Sequence, residues 1–238
     1  MKIRVLVYFK YTFPITSYSL PLLASKNQNI ILVKKVAYFL PDKISTLFVN
    51  KSHKETDIVD LNKDILSNYE LSIPEPFNYT GSLNDTIYGW LLKPINFDPS
   101  KKYPVAWLIH GGPEGGWTSG WSYSWNPQMF TNQGYVTIMV NPHGSIGFTL
   151  DFQNAVRNNW GGAPYEDIII GVDFVKEHFQ FADVDHMCAA GGSYGGFMIN
   201  WIEGNSDRFK CLVNHDGVFS FVCLIEFLIS LLSLKISL

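Results

Sequence analysis

The middle of the chain alternates continuous apolar runs with segments of helical periodicity. Residues 165–178 carry apolar side chains at helical spacing behind an acidic first turn, which predicts a helix. Residues 126–132 and 197–202 are further helix candidates. The apolar runs predict buried strands at 104–109, 136–140 and 185–190, and residues 209–214 predict a further strand. Strands that alternate with helices favour the α/β class, with a doubly wound, mostly parallel sheet.

The pattern is less regular towards the N-terminus. Residues 77–80 and 87–92 flank the turn-rich segment 81–85, which predicts a β-hairpin. Residues 55–80 predict short strands separated by turns, because Pro74 and Pro76 interrupt anything longer. Residues 1–50 hold apolar runs without a clear period, and they are only strand-like.

Composition narrows the functional classes. Hydrophobic residues make up 47% of the 238 positions, which is enough for a packed core. The net charge of −3 provides no electrostatic basis for binding nucleic acid. We predict no cofactor and no metal site.

The three cysteines, Cys188, Cys211 and Cys223, form no Cys-x-x-Cys motif, and their odd number does not indicate a disulfide framework. Cys188 and Cys211 lie in apolar, strand-like segments. We therefore expect both to be small buried hydrophobic residues.

Both ends of the chain are unusual. Lys10 and Pro14 interrupt the first apolar stretch, which makes it a poor signal peptide and leaves secreted and cytoplasmic locations open. Residues 218–235 are almost wholly apolar around Glu226. This tail is open to three interpretations: translated non-coding sequence, a helix that contacts a membrane or docks through residues 218–238, or a core helix.

The strongest chemical signal is Gly191-Gly192-Ser193-Tyr194-Gly195. A predicted strand precedes this Gly-x-Ser-x-Gly motif and a predicted helix follows it, which is the context of a nucleophile elbow. Ser193 is therefore the candidate nucleophile. Gly191 and Gly195 are expected to keep Cβ atoms out of the crowded turn.

A second glycine-rich segment, His110-Gly111-Gly112-Pro113, follows the predicted strand 104–109. Sites in parallel sheets lie at the carboxyl ends of strands, so this segment and the elbow should meet. Backbone N–H groups of Gly112 and Tyr194 are the expected oxyanion donors. His110 and Gly111 are expected to organise this loop.

The catalytic base is harder to find. In elbow enzymes the acid and the histidine follow the serine in the chain. His215 is the only histidine after Ser193, but it ends the very next predicted strand, beside Asp216. We expect His215 to line the mouth of the site rather than to act as the base.

Several separated motifs resemble the peptidase domain of the prolyl oligopeptidase family of serine peptidases, in the same order. The resemblance covers residues 75–220 and is closest to fungal dipeptidyl-peptidases and acylaminoacyl-peptidases. The motifs are 110–113, 121–127, 141–148, 160–167, 192–198 and 215–219. The resemblance implies an α/β-hydrolase domain with Ser193 as nucleophile and a β-propeller lid that admits only small substrates.

The sequence also departs from the family pattern. The family's acid and histidine lie beyond the strand that ends near Asp216, and after Phe219 the pattern gives way to the apolar tail. We therefore expect a peptidase that cleaves short N-terminal peptides, in a chain that is C-terminally truncated and catalytically incomplete. The expected segments are 1–74, with a remnant of a propeller edge at 45–74, then a partial hydrolase domain at 75–220 and the tail at 221–238.

Two other functions stay open. A carboxylesterase of the same superfamily would use the same elbow and His-Gly-Gly loop. A non-catalytic, membrane-associated or binding protein would use the tail.

Overall fold

The structure is a computed structural model, and it describes residues 16–18, 23–24, 30–37, 39–48, 55–118 and 120–220. Predictions for residues 1–15 and for the tail at 221–238 lie outside this described part. The chain divides into two compact units: residues 1–71 with 119–126, and residues 72–118 with 127–238.

The elements of the first unit are β1 (Thr16–Tyr18), β2 (Leu23–Ala24), β3 (Ile30–Ala37), β4 (Leu40–Phe48), β5 (Glu55–Val59) and α1 (Lys63–Leu66). Its strands form an antiparallel sheet with the order β1-β3-β4-β5, in which β2 also pairs with β3. Lys43 lies 3.1 Å from Asp57 and 2.5 Å from Asp60, and the buried Ser45 hydroxyl donates to Asp57 at 2.7 Å.

The second unit is built on a six-stranded sheet. Its strands are β6 (Glu75–Thr80), β7 (Thr86–Leu92), β8 (Tyr103–Ile109), β9 (Val136–Asn141), β10 (Ala182–Gly192) and β11 (Cys211–His215). Its helices are α2 (Gln128–Thr131), α3 (Leu150–Asn154), α4 (Ala163–His178) and α5 (Tyr194–Asn205), and a 3-10 turn spans Ser82–Asn84.

The strand order in this sheet is β11-β10-β8-β9-β7-β6. The four strands from β11 to β9 are parallel, and the β6–β7 hairpin joins them antiparallel through β9. The prediction of an α/β fold with a mostly parallel sheet is confirmed.

Burial explains why the apolar runs became central strands. All six residues of β9 are buried, and Trp107 on β8 is wholly inaccessible to solvent. Helix α4 covers this core with Ile168, Val172 and Val175, which are at most 2% exposed. Continuous hydrophobic strands beneath an apolar helical stripe are the expected result of burial on both faces.

The expected burial of the two cysteines near the last strand is wrong. A strand is predicted at 209–214, and the structure has one that begins at Cys211 and is mostly exposed. Cys211 itself is exposed and Cys188 is only half-buried, so neither is the fully buried residue expected. The reason is position in the sheet: within the described residues, β11 pairs only with β10, and one edge of it has no neighbour.

Candidate active site

Ser193 is the single residue between the end of β10 and the start of α5. Its backbone has φ 56° and ψ −116°, a conformation that costs free energy for a residue with a side chain. A Cβ at Gly191 would lie 2.5 Å from the carbonyl carbon of Gly195, and one at Gly195 would collide with the Ile109 carbonyl oxygen. The two glycines therefore allow β10, α5 and the end of β8 to approach closely enough to hold this turn.

The loop after β8 passes directly beside the serine. A Cβ on Gly111 would be 3.4 Å from Ser193 Cβ and 4.0 Å from its Oγ. Gly112 follows with φ +132°, a backbone conformation suited to glycine, and the Gly112–Pro113 peptide is cis. The structure thus brings together the two glycine-rich segments that the sequence put at neighbouring strand ends.

His110 anchors this loop from inside the protein. The side chain is buried, and its Nδ1 lies 2.8 Å from the Gly111 carbonyl oxygen, which can only accept. Burial lowers the pKa of His110, so the ring is neutral and Nδ1 carries its proton. Nε2 can then accept a hydrogen bond from the Ser145 hydroxyl, which lies 2.9 Å away. This hydroxyl has one proton, which it can donate instead to the Pro142 carbonyl oxygen at 2.6 Å.

A second buried network lies around His143, whose side chain is inaccessible to solvent. Its Nδ1 is 2.7 Å from Asp167 Oδ2, and its Nε2 is 3.1 Å from Asp85 Oδ2. Burial opposes the charged ring, but hydrogen bonds and charge attraction from Asp167 and Asp85 outweigh it and raise the pKa of His143. When the ring is protonated, it donates to both carboxylates.

Asp167, near the N-terminal end of α4, completes this network. Its oxygens also accept from the His143 backbone N–H at 2.7 Å and from the Ser82 N–H and hydroxyl at 2.8 and 2.7 Å. One wholly buried carboxylate therefore joins α4, the 3-10 turn and the loop after β9. That loop also carries Ser145, the partner of His110.

The helix after the elbow is fixed by an aromatic cluster. The Tyr194 hydroxyl donates to the Trp160 carbonyl oxygen at 2.8 Å, and the two rings meet edge to face. Phe197 packs against both rings. The Trp160-Gly161-Gly162 segment thus lies against the start of α5, and α5 begins at the residue after Ser193.

The backbone of His215 contacts the elbow, whereas its side chain lies beside Asp216. The Ser193 N–H donates to the His215 carbonyl oxygen at 3.0 Å. The His215 ring is 64% exposed, and its Nε2 is 3.6 Å from Asp216 Oδ2. Within residues 55–118 and 120–220, no side chain forms a hydrogen bond with Ser193 Oγ.

The sequence profile of the prolyl oligopeptidase family matches residues 121–227. The matched segment includes the elbow with Ser193.

Individual members of the family resemble the chain more extensively. Dipeptidyl-peptidase 5 of Aspergillus fumigatus is 51% identical over 60% of this chain and 20% of its own length. Dipeptidyl-peptidase 5 of Schizosaccharomyces pombe is 41% identical over 75% of this chain and 28% of its own length. The chain therefore spans less than a third of these curated relatives.

A solved structure supports the same fold assignment. The acylaminoacyl peptidase of Pyrococcus horikoshii superposes with a TM-score of 0.70 at 27% identity, over 82% of this chain and 30% of that one. The hydrolase fold expected from the resemblance is confirmed.

Sequence reasoning missed His143, Asp167 and Ser145 in this family segment. The sequence pattern indicates only an acidic start of a helix, and it distinguishes Asp167 from the exposed Glu166 by a single signal. Asp167 lies directly before the apolar run 168–170.

Two features are absent from the described residues. No group of three or more His, Cys, Asp or Glu side chains there is arranged to hold a metal ion. No helix in the same part of the chain combines the length and apolar character needed to cross a bilayer.

Proposed function

We propose that this chain is part of a serine peptidase that releases short N-terminal peptides through an acyl-enzyme at Ser193. The observation that carries the proposal is the strained Ser193 backbone between β10 and α5, with Gly111 beside its side chain. The names of the relatives, two dipeptidyl-peptidases and an acylaminoacyl peptidase, support a peptide substrate.

In the proposed reaction, Ser193 Oγ attacks the carbonyl carbon of the scissile amide. The N–H groups of Gly112 and Tyr194 donate to the oxyanion that forms. The amine product leaves with a proton, and water then releases the acyl group from the serine. His110, Gly111, Gly191 and Gly195 keep the loop and the elbow close enough for this geometry.

We propose in addition that the 238-residue chain by itself reacts weakly. A serine hydroxyl needs a general base within hydrogen-bond reach, and the described residues put none beside Ser193 Oγ. Oxyanion donors and substrate binding alone leave only a small residual rate.

Labelling with a fluorophosphonate probe tests this low reactivity. We expect the chain to label no faster than its Ser193→Ala variant, with Aspergillus fumigatus dipeptidyl-peptidase 5 as the positive control. Rapid labelling that requires Ser193 would refute the proposed weakness while supporting the nucleophile.

A chimera separates the nucleophile assignment from that weakness. Residues 217–238 would be replaced by the segment that follows the equivalent position in the Aspergillus fumigatus relative. We expect Ser193-dependent labelling and hydrolysis of dipeptidyl amides. A folded chimera that fails to label would exclude Ser193 as the nucleophile.

A carboxylesterase is the second candidate, because the elbow and the His-Gly-Gly loop serve ester hydrolysis equally well. The same chimera distinguishes the two functions. Turnover of p-nitrophenyl esters without any turnover of dipeptidyl amides would favour the esterase.

A further inference from the structure

Cys188 on β10 and Cys211 on β11 are direct neighbours across two parallel strands. The register pairs their Cα atoms, and the next pair along is Ala189 with Leu212. Paired residues of adjacent strands project from the same face of a sheet. Ala189 and Leu212 face the core under the helices, so the two cysteines share the opposite face.

The spacing of the strands suits a covalent link. Adjacent strands lie about 4.8 Å apart, which falls within the Cα separation of roughly 4.4–6.8 Å seen in disulfides. The two side chains also interact: burial, followed by a hydrogen bond to Cys211, raises the pKa of Cys188 to about 11. Both cysteines are free thiols in the structure, and the strand register makes them direct neighbours.

The two thiols differ in access to solvent. Cys211 is exposed on the last described strand, whereas Cys188 is half-buried between β8 and β11. An external oxidant therefore meets Cys211 first, and Cys188 is positioned to complete the reaction from within the sheet. This division resembles that between an attacking and a resolving cysteine.

We propose that Cys188 and Cys211 form a reversible intrachain disulfide by exchange with a small disulfide such as oxidised glutathione. The Cys211 thiolate attacks one glutathione sulfur, and the first glutathione leaves as a thiolate. The Cys188 thiolate then attacks Cys211 Sγ and expels the second glutathione. The protein loses two protons and two electrons, and the oxidant becomes two glutathione thiols.

The link would act on the strand that supports the elbow. β11 runs from Cys211 to His215, and the His215 carbonyl oxygen accepts the Ser193 N–H at 3.0 Å. Joining the first residue of β11 to β10 restrains these two strands against separation. Oxidation therefore changes the stability of the elbow, although Ser193 itself is not modified.

The experiment uses the full chain carrying Cys223→Ser, equilibrated in buffers of increasing oxidised-to-reduced glutathione ratio and then alkylated. Trypsin separates residues 177–208, with Cys188, from residues 211–235, with Cys211. Without that substitution Cys223 would lie in the second peptide and obscure the assignment.

We expect monomeric chain in which both thiols disappear together and the two peptides become linked, with a rise of roughly 5 °C in melting temperature. Stable glutathione adducts on the separate cysteines, or links only between chains, would overturn the proposal.

Single substitutions provide the controls. In Cys188→Ser, Cys211 should accumulate the mixed glutathione disulfide, and in Cys211→Ser, Cys188 should react at least tenfold more slowly. Equal rates in the two variants would contradict the proposed order of attack. Circular dichroism of each variant establishes that it is folded before the rates are compared.

Discussion

Tyr194 contributes to the elbow through its side chain as well as its backbone. The ring is 1% exposed, and its hydroxyl holds the Trp160 carbonyl oxygen. Burial raises the pKa of Tyr194 well above its ordinary value, so the group remains a neutral donor across the working pH range.

Tyr194→Phe should destabilise the chain by about 1–2 kcal/mol, because it leaves a partly buried carbonyl without its donor. Urea unfolding followed by circular dichroism measures the change. The matched control is Tyr165→Phe, whose hydroxyl bonds the Asn205 carbonyl at an exposed position. Equal losses of stability in the two variants would show that burial does not determine how much this hydrogen bond contributes to the free energy of unfolding.

The contact between β10, α5 and the end of β8 depends on glycines at the elbow. Gly195 lies against the backbone of both Ile109 and His110, where a Cβ finds no space. Gly204, near the other end of α5, has nothing within 4 Å of the position its Cβ would occupy. One helix therefore contains a glycine that packing requires and another that it does not.

Gly195→Ala should cost about 1–3 kcal/mol or more through overpacking against backbone that cannot move aside. Gly204→Ala should have the opposite sign and stabilise the chain by about 0.5–1 kcal/mol through helix propensity. Denaturation midpoints of the two variants test the pair. A neutral Gly195→Ala would mean that the elbow can open without loss.

The elements differ in how far the sequence predicted them. Strands β8 and β9 were predicted within a residue or two because they are apolar throughout and buried on both faces. β11 was predicted as a strand and its Cys211 as buried, but exposure is decided by what lies beside a strand, and this cannot be deduced from Val213 or Cys211 alone. The short helix α3 carries too little periodicity to be recognised.

The residues of the candidate site also differ in how far the sequence predicted them. Ser193 and the Gly111–Gly112 loop were predictable because a strained turn and a close backbone approach restrict which residues can be used. His143 and Asp167 were not, because their pairing depends on a tertiary contact between α4 and the loop after β9. The placement of 45–74 as a propeller edge stays a prediction.

At the scale of the whole molecule, the network around His143 links folding stability to pH. Asp167, Asp85 and the Ser82 hydroxyl face the ring, and Phe152 stacks on it at 4.3 Å. The pKa of His143 is raised in the folded chain, so the folded state binds a proton more tightly than the unfolded state. This stabilisation is complete below about pH 6.5 and is lost as the pH rises through the folded-state pKa.

We therefore expect the free energy of unfolding to fall above about pH 6.5, with a contribution from this residue of up to about 1.4 kcal/mol per pH unit. Asp85→Asn should reduce the fall, since it removes one of the two carboxylates. Urea midpoints between pH 6 and 8.5 provide the measurement. Glu166→Gln, an exposed change of the same charge, should leave the slope intact; if both variants alter it equally, the effect belongs to net charge.

The bond from the Ser193 N–H to the His215 carbonyl has a consequence for the order of folding. The elbow takes its shape from the end of β8, from its own glycines and from β11, which lie far apart in the chain. Such non-local closures form slowly, because the loop entropy is lost before the contacts compensate for it. During synthesis, Ser193 emerges before its last backbone partner does, so the nucleophile position matures only after residue 215 has left the ribosome and paired.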